Sequence, residues 1–220
     1  MSQIQQELRN AADPLRAPKM QAYMKSSMPY LGVTMPQVRK ITTTAVRERP
    51  FENAAELLRT AEFFWRAAHY REERYVALAL TDVKEVAQNL DFLPLYQEMV
   101  RSGAWWDYVD WVAHRIRGLL HAHPGTLAPL LIDWSVHENF WFRRLSIISQ
   151  LQAKDETDLE LLTKVIEVNM ADSEFFVRKA IGWALRDYAR TDPLWVLNFV
   201  DLRSGLLSPL SRREALKHLI

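Results

Sequence analysis

The chain is predicted to be all-α, a stack of short helices built from a repeated helix pair. Three observations carry this. Apolar residues recur with a helical period and nowhere alternate strictly between apolar and polar. Glycine is scarce, six in 220 residues, while the ten prolines fall mostly where helices would begin or end. Short marks also recur along the chain: Tyr70-Arg71, Trp106-Asp107, Phe142-Arg143, Val177-Arg178 and Ser211-Arg212. Their second members fall at 71, 107, 143, 178 and 212, in steps of 36, 36, 35 and 34 residues. Each step leaves room for one more helix before the next mark.

The elements follow in order. Thr34 with Gln37, and Pro36 between them, form a capping box that opens a helix. Asn53 with Glu56 opens another, whose apolar stripe is Leu57, Leu58, Ala61, Phe64 and Trp65. The pairs Glu72-Glu73 and Asp155-Glu156 are expected to be solvated. A helix headed by Trp105-Trp106 runs to near Leu120, and Pro124 marks its end after His121-Ala122-His123. Those two histidines, two residues apart, do not share a helix face, so cation-favoured capping explains them better than a metal. Ile147, Ile148, Leu151 and then Leu159, Leu162, Val165, Ile166 continue the pattern. Asp192 with Pro193 and Ser211 with Glu214 open the last two helices. About ten to thirteen helices result, in a single domain spanning residues 1–220. A period near 35 residues means stacked pairs of the HEAT or armadillo kind, curved into a solenoid with a concave face.

Composition narrows the function. Hydrophobic residues make up 49% and charged residues 25%, the profile of an ordinary soluble globular protein. No stretch approaches the roughly 20 apolar residues of a membrane span. The first ten residues are polar and lack the core of a signal peptide, and there is no cysteine, so a cytoplasmic location fits. Net charge is +1, which excludes binding through a basic tail, but 20 of the 28 cations are arginine. Arginine forks onto phosphate and stacks on bases. Arg143-Arg144, Arg178-Lys179 and Arg212-Arg213 recur at equivalent places near helix starts, where unpaired N–H groups favour phosphate. The alternative is that they pair with acids such as Asp172, Glu174 and Glu214.

The run Trp105-Trp106-Asp107-Tyr108-Val109-Asp110 is the richest segment. Trp106 and Asp110 lie four residues apart and share a helix face. An indole beside a carboxylate suits a cation, and suits still better a transition state that becomes cationic. The duller account is a core Trp with an Asp serving the helix dipole. Downstream, Gly182 sits inside a strong helical pattern at a cost of about 1 kcal/mol relative to Ala. A neighbouring helix or a ligand must approach closely there, and Trp183 follows directly.

Together these segments closely resemble the AlkD-type alkylpurine DNA glycosylases, which are built from HEAT-like repeats. The matching pieces are Tyr23-Met24-Lys25, Leu31-Gly32-Val33 before Pro36, Trp105 to Asp110, Trp141-Phe142-Arg143-Arg144, Glu174 to Ala189 and Pro209 to Ala215. They run in the same order over nearly the whole chain. By that resemblance Trp106, Asp110 and Trp183 form the catalytic cluster and Arg144 is the active-site arginine. Tyr23 lies near the DNA, while Arg143, Arg178, Lys179, Arg186, Arg212 and Arg213 are expected, as cations of the repeats, to contact it together with Arg144. The family removes 3-methyladenine and 7-methylguanine from duplex DNA, leaving an abasic site without flipping its target into a pocket. A monomer is the expectation for a solenoid of this length, and no metal-ligand series or cofactor-binding motif calls for a cofactor or metal. Two residues depart from the pattern: Met35 stands where a polar DNA contact is expected, and Gln152 where a lysine is expected. Both bear on affinity more than on chemistry.

Two rivals come from other classes. A non-catalytic binder of damaged or branched DNA on the same scaffold would need no intact Trp106, Asp110 and Trp183. A protein-binding repeat scaffold would favour exposed Leu, Met or acidic patches over recurring arginines.

Overall fold

Capping chemistry sets most of the helix starts. The computed structural model describes residues 2–83 and 86–219, and the expected polar amino terminus is seen from residue 2 onward. Among the described residues there are thirteen α-helices and no strand. They fall into two compact units, residues 1–92 and 93–220.

The first unit holds α1 (Ser2–Asn10), α2 (Ala17–Tyr23), α3 (Met35–Glu48), α4 (Ala54–Arg66) and α5 (Arg71–Leu80). At the head of α3 the Gln37 side-chain oxygen accepts from both the N–H and the hydroxyl of Thr34. Asn53 caps α4 by accepting from the Glu56 N–H at 2.9 Å. Phe64 and Trp65 are buried, as the stripe on α4 requires, while Phe63 is partly exposed.

Glu72 and Glu73 are not solvated: both side chains are buried. The Glu73 carboxylate accepts from the N–H groups of His69 and Tyr70 and so caps α5. Glu72 reaches further, accepting from three successive N–H groups, those of Leu31, Gly32 and Val33. Gly32 has φ +86°, and a Cβ there would stand 2.2 Å from the Asp13 carbonyl oxygen. Only glycine fits such a turn. Burial pushes the Glu72 carboxyl above its ordinary value, although the backbone donors pull the other way.

The second unit holds α6 (Leu93–Gly103), α7 (Trp106–Ala122), α8 (Pro124–Ser135), α9 (Phe140–Ile148), α10 (Leu159–Glu167), α11 (Phe175–Tyr188), α12 (Pro193–Leu202) and α13 (Pro209–Leu216). Here α7, α9, α11 and α13 pack on one another in succession. The others flank them: α6 lies on α7, α8 on α7 and α9, α10 on α8 and α9, and α12 on α11 and α13. That is a HEAT-like stack of helix pairs. The recurring marks explain themselves, since 107, 143, 178 and 212 all fall within the first four residues of these inner helices, and 71 opens α5. Val112, Ile116, Phe142, Leu145, Ile148, Val177, Ile181 and Leu185 are fully buried between them. Each such side chain contributes roughly 1.5–3 kcal/mol relative to exposure.

One start differs from expectation. α13 begins at Pro209, capped by the Ser208 hydroxyl, which accepts from the Ser211 N–H at 3.0 Å. Ser211 is therefore inside the helix. Its hydroxyl instead donates to the Arg178 carbonyl oxygen at 2.9 Å and ties α13 to α11.

Candidate active site

The amino-terminal ends of α7, α9 and α11 are held together by aromatic contact. Trp105 precedes α7, Trp141 is the second residue of α9, and Phe176 is the second residue of α11. The three rings form a triangle with centroid separations of 6.2, 5.9 and 4.9 Å. With the helix ends pinned, residues one turn further along face one another across the repeats.

Asp110, one turn into α7, meets Arg144, the fifth residue of α9. The guanidinium forks onto the carboxylate, Nε to Oδ1 and Nη2 to Oδ2, both at 2.8 Å. Its Nη1 donates to the Phe176 carbonyl oxygen of α11 at 2.7 Å. Arg144 is thus a three-way joint. Its side chain is 4% exposed while that of Asp110 is 18% exposed, so the carboxylate keeps a face to solvent. The guanidinium carbon lies 5.8 Å from the Trp183 ring centroid and 6.0 Å from that of Phe176, both within cation–π range.

Trp106 opens α7, half-buried, one turn before Asp110 on the same face. Trp183 is also half-buried, whereas Trp65, Trp134 and Trp141 are core residues. Half-burial leaves part of each of the two expected site tryptophans open to a ligand, as it does for Trp105, Trp111 and Trp195. Burial pushes the Asp110 carboxyl above its ordinary value, Arg144 pulls it back, and the nearby charge of Asp107 adds to the rise.

The expected DNA-contacting cations are placed differently from one another. Arg143 is engaged within the protein: its Nε donates to Asp172 at 2.8 Å and its Nη1 to the carbonyls of His137 and Glu138. Lys179 and Arg186 share Glu214, at 3.2 and 2.6 Å on its two oxygens. So Asp172 and Glu214 do take cations, as the alternative reading had it. Arg178 is partly buried, its Nε enclosed with no hydrogen-bond partner. Arg212 and Arg213 are exposed and line a groove with Lys217. Tyr23 closes α2 in the first unit, 76% exposed. Met35 opens α3, and Gln152 lies in the turn after α9 with φ +66°, its N–H on Asp187. The approach at Gly182 is made by a helix: a Cβ there would lie 2.4 Å from the Glu214 Cβ and 2.8 Å from the Ser211 carbonyl oxygen of α13. His121 stands 3.6 Å from Glu156, both exposed.

Sequence reasoning missed Phe176, which supplies the third contact of Arg144, and it named Glu214 as an acid for the recurring cations without the sharing by Lys179 and Arg186. A signal for the first existed. Trp106, Trp141 and Phe176 recur at intervals of 35 residues, each within the first two residues of α7, α9 or α11.

Comparison with known proteins identifies the family. The family model of DNA alkylation repair enzymes matches residues 4–219. A solved structure described as a predicted DNA alkylation repair enzyme from Enterococcus faecalis is 32% identical, over 94% of this chain and 96% of that one, with a TM-score of 0.83. No curated protein matches. With the family match spanning both units and the solved relative sharing the helical architecture, the chain belongs to the DNA alkylation repair enzyme family.

Proposed function

We propose that this protein is a DNA glycosylase that hydrolyses the N-glycosidic bond of positively charged alkylated purines, such as 3-methyladenine and 7-methylguanine, in duplex DNA. Residues 1–220 act as one functional domain in this reading. The observation that carries it is a carboxylate with one face to solvent, Asp110, held by a buried Arg144 beside the ring of Trp183.

The chemistry needs little else. An alkylated purine carries a formal positive charge, so it leaves as a neutral base without prior protonation. As the bond between N9 and C1′ breaks, its electron pair goes to the base and the sugar passes through an oxocarbenium-like state. Asp110 stabilises that charge and orients the attacking water, whose oxygen bonds to C1′ and whose proton the carboxylate receives. Trp106 and Trp183 flank the sugar with ring faces that favour a cation. Arg144 aligns Asp110, and the base need not enter a pocket. Uncharged lesions such as uracil should be poor substrates, because their bases leave as anions.

The test is single-turnover release of 7-methylguanine from a defined duplex. Wild type should release it, Asp110→Asn should be slower by about 10²–10³-fold, and a uracil duplex should stay intact. Tight duplex binding with no release would instead support a non-catalytic binder of damaged DNA.

A further inference from the structure

We propose that Glu214 is a positioning residue for Trp183, a role that deepens the glycosylase reading and rests on it. Lys179, Trp183 and Arg186 stand at i, i+4 and i+7 along α11 and so share one face of that helix. The two cations therefore bracket the tryptophan, one turn before it and one turn after. Both end on the same carboxylate, Lys179 on Oε1 at 3.2 Å and Arg186 on Oε2 at 2.6 Å. That carboxylate comes from α13, and its side chain is only 13% exposed.

Glycine at 182 is what lets it come so near. The Glu214 Cβ occupies space that any larger residue at 182 would claim. One acid thus ties α11 to α13 on both sides of Trp183 and limits rotation of α11 about its axis. Trp183 in turn faces Arg144, which aligns Asp110. Removing the carboxylate would release the clamp and leave two like charges flanking the ring. A displacement of about 1 Å at a reacting centre can cost about 100-fold in rate. A different role would be to withhold Lys179 and Arg186 from DNA, and it would act on affinity alone.

Glu214→Gln and Ser211→Ala separate these roles, since Ser211→Ala loosens the same helix pair without touching the two cations. Three quantities are read: the single-turnover rate at saturating protein, duplex affinity at fixed salt, and the ¹⁹F resonance of Trp183 in 5-fluorotryptophan-labelled protein. That resonance is assigned by its loss in Trp183→Phe. Glu214→Gln should lower the saturated rate by about 10-fold or more, leave duplex affinity equal or tighter, and shift or broaden the Trp183 resonance. Ser211→Ala should change neither rate nor resonance.

An unmoved Trp183 resonance, or an unchanged saturated rate beside tighter binding, would overturn the proposal. A wild-type protein that excises nothing would defeat the glycosylase reading, while the resonance would still decide whether Glu214 positions Trp183. If Glu214→Gln does not fold, Glu214→Asp replaces it, with the same supporting and overturning results. That variant keeps the charge and withdraws it by one methylene.

Discussion

Asp110 is where the chemistry and the electrostatics of the protein meet. Burial lifts its carboxyl above the ordinary 3.8 and the Arg144 fork opposes the rise. The proposed reaction uses the ionised form, so the rate should fall as pH drops through a value above 3.8. Arg144→Met removes the opposing charge and should move that acidic limb to higher pH. A pH–rate profile of both proteins checks this, and a limb that stays in place would mean that Arg144 does not govern Asp110. The linkage to stability has the matching sign. With the folded value raised, Asp110 favours folding below its unfolded value and loses that contribution as pH rises through the folded one. That Trp106 and Asp110 share a helix face was legible in sequence, because a four-residue spacing on one helix is local information. Arg144 reaching Asp110 was not, because that contact joins residues 34 apart on different repeats.

Among the helices, α11 and α13 form the seam that glycine makes possible. Gly182→Ala would place a methyl group against Glu214 and the Ser211 carbonyl, forcing the helices apart at a cost of about 1–3 kcal/mol. A melting temperature lowered by several degrees would show it; an unchanged one would mean that the seam yields freely. Glu214 adds a pH signature. Burial alone would raise its carboxyl, but Arg186 and Lys179 outweigh burial and hold it below the ordinary 4.5. Its stabilisation is then complete above the unfolded value and lost as pH falls through the folded one. Wild type and Glu214→Gln should differ in melting temperature at pH 7 and converge as pH falls below 4.5. The sequence pattern showed that something packs at Gly182 and left open what. Ser211 shows the limit of capping rules: a Ser with a Glu three residues later resembles a cap, yet Ser208 with Pro209 does the capping. Glu72 and Glu73 misled for a related reason, since an acid in a first turn looks solvated until the N–H groups it serves are known.

For the molecule as a whole, the distribution of charge matters more than its sum. Among the cations expected at the site or on DNA, Arg143, Arg144, Lys179 and Arg186 hold acids of the protein itself. Arg212 and Arg213 are exposed. Duplex binding should therefore depend weakly on salt, with a logarithmic slope of about −2 to −3. The double substitution Arg212→Ala with Arg213→Ala should make that slope shallower by roughly 1.8. A wild-type slope steeper than about −6 would mean that the internal ion pairs open onto phosphate.

The turn at Gly32 bears on how the first unit assembles. Its three N–H groups find their acceptor in Glu72, about forty residues away, on the far side of two helices. Until α5 arrives, those three donors have only water, and the turn is held only from its carbonyl side, by the Asp13 N–H on Leu31 and by Arg16 on Gly32. The hairpin from α2 to α3 is thus completed late, by a residue beyond it. A nascent chain that has emerged only as far as α4 should still exchange the amide protons of residues 31–33 freely. Those protons should become protected in one step once residue 72 is in place.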